Sequence, residues 1–143
     1  MLINIVIGLS MMAVCLLLQG VLVVQALRFY ASRQSRLHSA FLAGMRVTVG
    51  LMFILIVGNV AQVFAWAMLF LWLGEFQQLS VAVYHSAVNF ATLGYGDIVM
   101  SDENKLLGPL EALNGAMMIG VSTAALTRAF AEVMNDHLPP RAD

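Results

Sequence analysis

The chain has 143 residues, 61% of them apolar and only 10% charged, against roughly 45–50% and about 25% in ordinary soluble domains. A water-soluble fold of this length cannot hide so much apolar surface, so a membrane is the expected solvent and one domain the upper bound. The net charge of −1 says little by itself, but its distribution argues against a nucleic-acid partner: Arg28, Arg33, Arg36 and Arg46 gather in one stretch, while Glu75, Asp97, Asp102 and Glu103 are set against Lys105 alone in another. The single cysteine, Cys15 in an apolar run, rules out an intrachain disulfide framework.

The first element is the apolar run from Leu2 to Leu27, long enough to cross the roughly 30 Å hydrocarbon core as a helix. A cleaved signal peptide is the rival reading, weakened by the lack of a basic residue before the run and by its length. Cys15 reads as a small hydrophobe, buried or facing lipid. Arg28, Arg33, Arg36 and His38 then mark a polar loop up to Ala40. By the positive-inside rule the loop is cytoplasmic, the N-terminus outside and the C-terminus cytoplasmic.

Phe41 to Leu73 reads as a second span. Arg46 snorkels at its inner end, and Trp66 and Trp72 sit at the far headgroup level. Asn59 and Gln62, one turn apart, are expected to bond between helices. Glu75, Gln77 and Gln78 mark an aqueous excursion, after which Ser80 caps a short helix from Val81 to about Ala91. That helix is too short to span, so it is expected to dip into the membrane and return.

A third span runs from Leu106 to about Met134, with Pro109 in its first turn. Glu111 there is either a charge at the helix start or a brace for the re-entrant segment. Pro139 and Pro140 end the helix and leave a short tail. The expected fold is an all-α membrane protein of three transmembrane helices, with a re-entrant helix and loop between the second and third. Residues 1–40 form an added N-terminal helix and basic loop, 41–134 the main unit and 135–143 a cytoplasmic tail. Arginines recur at no regular interval within a span, so no voltage sensor is expected.

The chemistry sits in Thr92-Leu93-Gly94-Tyr95-Gly96-Asp97. A cation crossing lipid needs oxygens in place of its hydration shell, and rings of backbone carbonyls supply them without burying net charge. Successive carbonyls of one strand point the same way only if backbone handedness alternates, which glycine allows at low cost. Gly94 and Gly96 are so placed, and Thr92 adds a hydroxyl oxygen at the inner end. Tyr95 is expected to turn away from the ion path and pack on the short helix, with Asp97 concentrating cations at the outer mouth. The partially negative C-terminal end of the short helix, near Phe90 and Ala91, favours a cation in mid-membrane. One chain gives one row of oxygens, so a ring demands several identical copies in closed cyclic symmetry.

This motif resembles the potassium-channel selectivity filter. Residues from about Phe41 to Met134, including Leu-Leu-Gly-Pro-Leu-Glu-Ala-Leu-Asn-Gly at 106–115, resemble the two-helix pore module of small bacterial ion channels. The resemblance implies a homotetramer in membrane lipid that conducts K+ passively, with no cofactor, no soluble partner and no enzymatic activity. It implies ion sites at the carbonyls of Thr92, Leu93, Gly94 and Tyr95 and at the Thr92 hydroxyl, with Gly96 closing the outer end. Gly120 matches the inner-helix hinge, with Gly115 as competitor; for either, the plain alternative is a small residue easing helix packing.

Three departures stand out. Ala91 replaces a threonine, Tyr84 and His85 stand where members often carry paired tryptophans, and Val88 stands where many carry an acidic residue, so a carboxylate brace to Asp97 is absent. His85 is expected to be hydrogen-bonded in protein packing rather than a pH tuner. The alternative function is a non-conducting or poorly selective channel-like subunit that acts as an assembly partner. An intramembrane enzyme is disfavoured, since no nucleophile elbow, zinc-binding His-Glu pair or paired intramembrane aspartates occur. Ten methionines point to adaptable packing.

Overall fold

A computed structural model describes residues 2–34 and 41–137. The described residues form four helices: α1 (Leu2–Gln34), α2 (Phe41–Trp72), α3 (Leu79–Phe90) and α4 (Leu107–His137). Three contain stretches long and apolar enough to cross a membrane: Leu2–Phe29, Gly44–Trp72 and Leu107–Asn135. α3 has 12 residues and is about 18 Å long at 1.5 Å per residue, well short of a span.

The long helices run further than the hydropathy pattern predicts. α1 continues past Leu27 through Arg28 to Gln34, because Arg, Gln, Ala and Leu all favour helix and leaving lipid does not end one. The basic segment is therefore helical up to Gln34; the expected loop at Arg36 and His38 lies outside the described residues. α4 likewise runs through Met134 to His137, so the tail expected from residue 135 begins as helix. Pro139 and Pro140 lie outside the described residues.

The helices pack in three layers. At one end Met12 and Cys15 of α1, Trp66 and Phe70 of α2, Phe90 of α3, and Leu107 and Met118 of α4 form one buried cluster with Met100. At the other end Ala26, Val47, Leu51, Leu55, Ala125, Ala129 and Val133 form a second. Trp66 is fully buried in the first cluster, its ring 5.9 Å from that of Phe70. Its ring faces protein and not lipid, because Met12 and Cys15 of α1 cover that face of α2. Trp72, 80% exposed, is free to sit at a headgroup level.

Between the two clusters lies a polar layer. Gln62 Nε2 donates to Gln19 Oε1 at 2.8 Å, and Gln19 Nε2 donates to Ser122 Oγ at 2.8 Å. Asn59 Nδ2 reaches the same hydroxyl at 3.4 Å. The expectation that Asn59 and Gln62 bond between helices therefore holds, and α1 joins α2 to α4 through Gln19. Hydrogen bonds between helices in lipid are worth about 0.6–2 kcal/mol each. Gln19→Leu, which leaves the Gln62 donor without its acceptor, is expected to cost about 1–2 kcal/mol. Thermal unfolding of the purified protein in detergent checks this: a lowered Tm is expected, and an unchanged one contradicts it.

Candidate functional site

α2 and α3 end in the same way. At the end of α2, Glu75 N bonds Phe70 O and Gly74 N bonds Leu71 O, each at 3.0 Å, with Gly74 at φ +78. At the end of α3, Leu93 N bonds Val88 O at 2.9 Å and Thr92 N bonds Asn89 O at 2.8 Å, with Thr92 at φ +58. Both are helix stops that require one left-handed residue, normally glycine. Thr92 occupies that place although it is β-branched, at a cost on the order of 1–3 kcal/mol.

The segment that follows is extended and alternates in handedness. Thr92, Gly94 and Gly96 have φ of +58, +58 and +73, while Leu93 and Tyr95 stay on the negative side. The expected alternation at Gly94 and Gly96 is present, and Thr92 begins it one step earlier. A Cβ built on Gly94 or Gly96 meets nothing within 4 Å, so backbone handedness and not space requires glycine there.

The short helix differs from expectation at its start. It begins at Leu79 with Gln78 as N-cap and no capping side chain, so Ser80 lies inside the first turn. A Ser cap is worth only about 1 kcal/mol, and the tertiary position of α3 outweighs it. Within the single chain Tyr95 is 65% exposed and Leu93 54%. More than half of each side chain is thus left uncovered by its own chain.

The far end of the segment is fastened by neighbours on α3. The Tyr84 hydroxyl donates to Asp97 Oδ2 at 2.7 Å. That bond is the main cause holding the Asp97 carboxyl below its usual range, and it pushes the Tyr84 phenol up. Although Val88 supplies no carboxylate brace, Tyr84 supplies a hydroxyl one. His85 Nδ1 lies 3.0 Å from Ile98 O, and its Nε2 lies 2.8 Å from Asn89 Nδ2. The ring packs between Phe70 and Phe76, at centroid distances of 5.6 and 5.0 Å. His85 is thus hydrogen-bonded in packing, as expected, and burial is the main cause lowering its pKa.

Glu111 resolves as a brace. It is fully buried and hydrogen-bonded to Ser86 of α3, whose hydroxyl also lies 2.8 Å from Val63 O of α2. The alternative, a charge exposed at the helix start, is overturned because α3 covers that face of α4. Of the two hinge candidates, Gly115 faces α3: a Cβ there would lie 2.0 Å from Phe90 O. A Cβ at Gly120 meets nothing within 4 Å, and α4 runs unbroken through both. Gly115 therefore serves close packing.

A further holding point, Glu75, was not singled out by the sequence as more than a polar marker. Its carboxylate accepts from Ser101 N at 2.7 Å, Ser101 Oγ at 2.6 Å and Asn104 Nδ2 at 2.6 Å. Partial burial pushes its pKa up, but the hydrogen bonds from Ser101 and Asn104 outweigh this and hold it below the usual 4.5. A carboxyl lowered by folding contributes stability that is present above its unfolded value and lost as pH falls through the folded one. Wild type is therefore expected to lose thermal stability below about pH 4.5 more steeply than Glu75→Gln. Parallel acid limbs in the two Tm–pH curves would contradict this.

The model of a family described as ion channel matches residues 51–132, more than half of the chain. The match takes in most of α2, all of α3, the 92–97 segment and most of α4, and leaves out α1. No curated protein and no solved structure matches the chain.

Proposed function

Because this chain belongs to the ion channel family and has three helices able to cross a membrane, we propose that it is one subunit of a potassium-selective channel that conducts passively through a homotetrameric pore. The observation that carries this reading is the alternation of left-handed backbone at Thr92, Gly94 and Gly96 in an exposed, extended segment. Such alternation turns successive carbonyls to one side, the arrangement a dehydrated cation needs.

In this reading residues 92–97 are the selectivity filter and α3 is the re-entrant pore helix. Potassium is held by the main-chain oxygens of Thr92, Leu93, Gly94 and Tyr95 and by the Thr92 hydroxyl, with Gly96 closing the row and Asp97 at the outer mouth. The exposed Leu93 and Tyr95 meet neighbouring copies, and membrane lipid covers the outer faces of α1 and α2. Residues 41–134 form the pore domain, the N-terminus lies outside and the C-terminus in the cytoplasm. Gly120, whose surroundings are open, is where α4 would bend in gating.

Purified protein in liposomes tests the proposal. Potassium flux is expected to exceed sodium flux at least tenfold, roughly the discrimination that 1.4 kcal/mol provides. Equal fluxes of the two ions overturn the selectivity, and no flux of either overturns the conduction.

A further inference from the structure

We propose that His85 and Asn89 are a positioning pair for the outer end of the filter, a role that rests on the channel reading above. The chemistry of the partners fixes the protons. Ile98 O can only accept, so His85 Nδ1 carries a hydrogen and donates it at 3.0 Å. Asn89 Nδ2 can only donate, so His85 Nε2, 2.8 Å away, accepts. The ring is therefore a neutral imidazole of one tautomer, oriented by the amide behind it.

Asn89 acts at both ends of the filter. Its main-chain oxygen takes the Thr92 N–H at 2.8 Å, which closes α3 and starts the carbonyl row. Its side chain holds His85, which grips Ile98 two residues beyond the last filter glycine. Tyr84 grips the adjacent Asp97 through its side chain alone, so His85 holds the main chain at this exit. A half-open groove of about 360 Å³ runs beside the row, lined among others by His85, Asn89, Gly94, Gly96 and Pro109. A Cβ at Gly94 or Gly96 meets nothing within 4 Å, so within the chain the row is fastened chiefly by the bonds at its two ends. Losing one end lets the carbonyls move apart, and a wider ring no longer discriminates by ion size.

Two substitutions separate this role from packing. In His85→Asn the amide nitrogen falls where Nδ1 stands and keeps the bond to Ile98 O, although ring volume is lost. In His85→Phe the volume between Phe70 and Phe76 is kept and the donor is lost. The potassium-to-sodium flux ratio of the full-length protein in liposomes, with subunit number checked by size exclusion, is expected to stay near wild type in His85→Asn. It is expected to drop at least tenfold in His85→Phe, the effect of ~1.4 kcal/mol, which the loss of one hydrogen bond in each subunit can supply. The reverse order, Phe retaining the ratio and Asn losing it, overturns the proposal, as does a ratio unchanged in both.

Should His85→Phe fail to assemble, Asn89→Leu decides when read beside Glu111→Met, because the Asn89 side chain also bonds Glu111 and the second variant removes that bond while leaving His85 its orienting amide. A ratio lowered in Asn89→Leu alone supports the pair; a wild-type ratio there, or an equal drop in both variants, overturns it. Wild-type liposomes without potassium flux would instead remove the channel reading on which the pair rests.

Discussion

Gly94→Ala is expected to abolish potassium flux while the protein still folds. Gly94 sits at φ +58 with nothing within 4 Å of where a Cβ would stand, so the injury is conformational and not steric. A side chain in the left-handed region costs ~1–2 kcal/mol. Summed over the four subunits of the proposed tetramer, this lowers the population of the conducting arrangement by roughly a thousandfold to a millionfold. The chain escapes by rotating to negative φ, which turns that carbonyl away from its ring. Thr92 bears the same φ because two helix-end hydrogen bonds, from its own N–H and that of Leu93, hold it there; position 94 lies beyond that clamp. Flux from liposomes checks the prediction, with Gly20→Ala on α1 as the control, since a Cβ there also meets nothing within 4 Å and its φ is not positive. A Gly94→Ala protein conducting like wild type contradicts the alternating-backbone account.

Gly115→Ala is expected to have the largest effect on stability. The new Cβ would lie 2.0 Å from Phe90 O, 2.7 Å from its carbonyl carbon and 2.8 Å from its Cα. These are backbone atoms at the end of α3, so relief requires α3 and α4 to move apart. Overpacking of this kind costs about 1–3 kcal/mol and more where backbone must shift. Gly8 is the instructive contrast: its Cβ would come within 2.4 Å of Leu110 Cδ1, the end of a flexible side chain that can change rotamer. Gly8→Ala is therefore expected to be much the milder. Thermal unfolding in detergent compares the two; equal Tm values would show that α3 and α4 do not pack as closely as described.

The spans were legible because hydropathy and length are decided by lipid alone. The 92–97 segment was legible because its chemistry needs glycine at alternate positions. Which face of each helix is buried was not, since in lipid both the protein-facing and the lipid-facing sides are apolar. Trp66 is the example: its sequence position suits a headgroup level, and only the position of α1 shows it to be core. The usable signal was the inverse of the one in soluble proteins. Gln19, Gln62, Glu111 and Ser122 are all buried and hydrogen-bonded, because a polar side chain on a spanning helix finds partners only inside the protein. A reading that took each polar residue as marking the inner face would have placed α1 against α2 and α4. The bonds of Tyr84 and His85 to Asp97 and Ile98 were beyond reach, since they depend on how far the chain folds back after Gly96.

The central claim is that main-chain oxygens of identical copies, ranged about a shared axis, replace the water that a potassium ion sheds. An experimentally determined structure of the assembled protein in potassium tests it most directly. The account predicts ion density on the axis beside the carbonyls of Thr92, Leu93, Gly94 and Tyr95. Residues 92–96 lying away from any symmetry axis, or continuing α3 as helix, would contradict it.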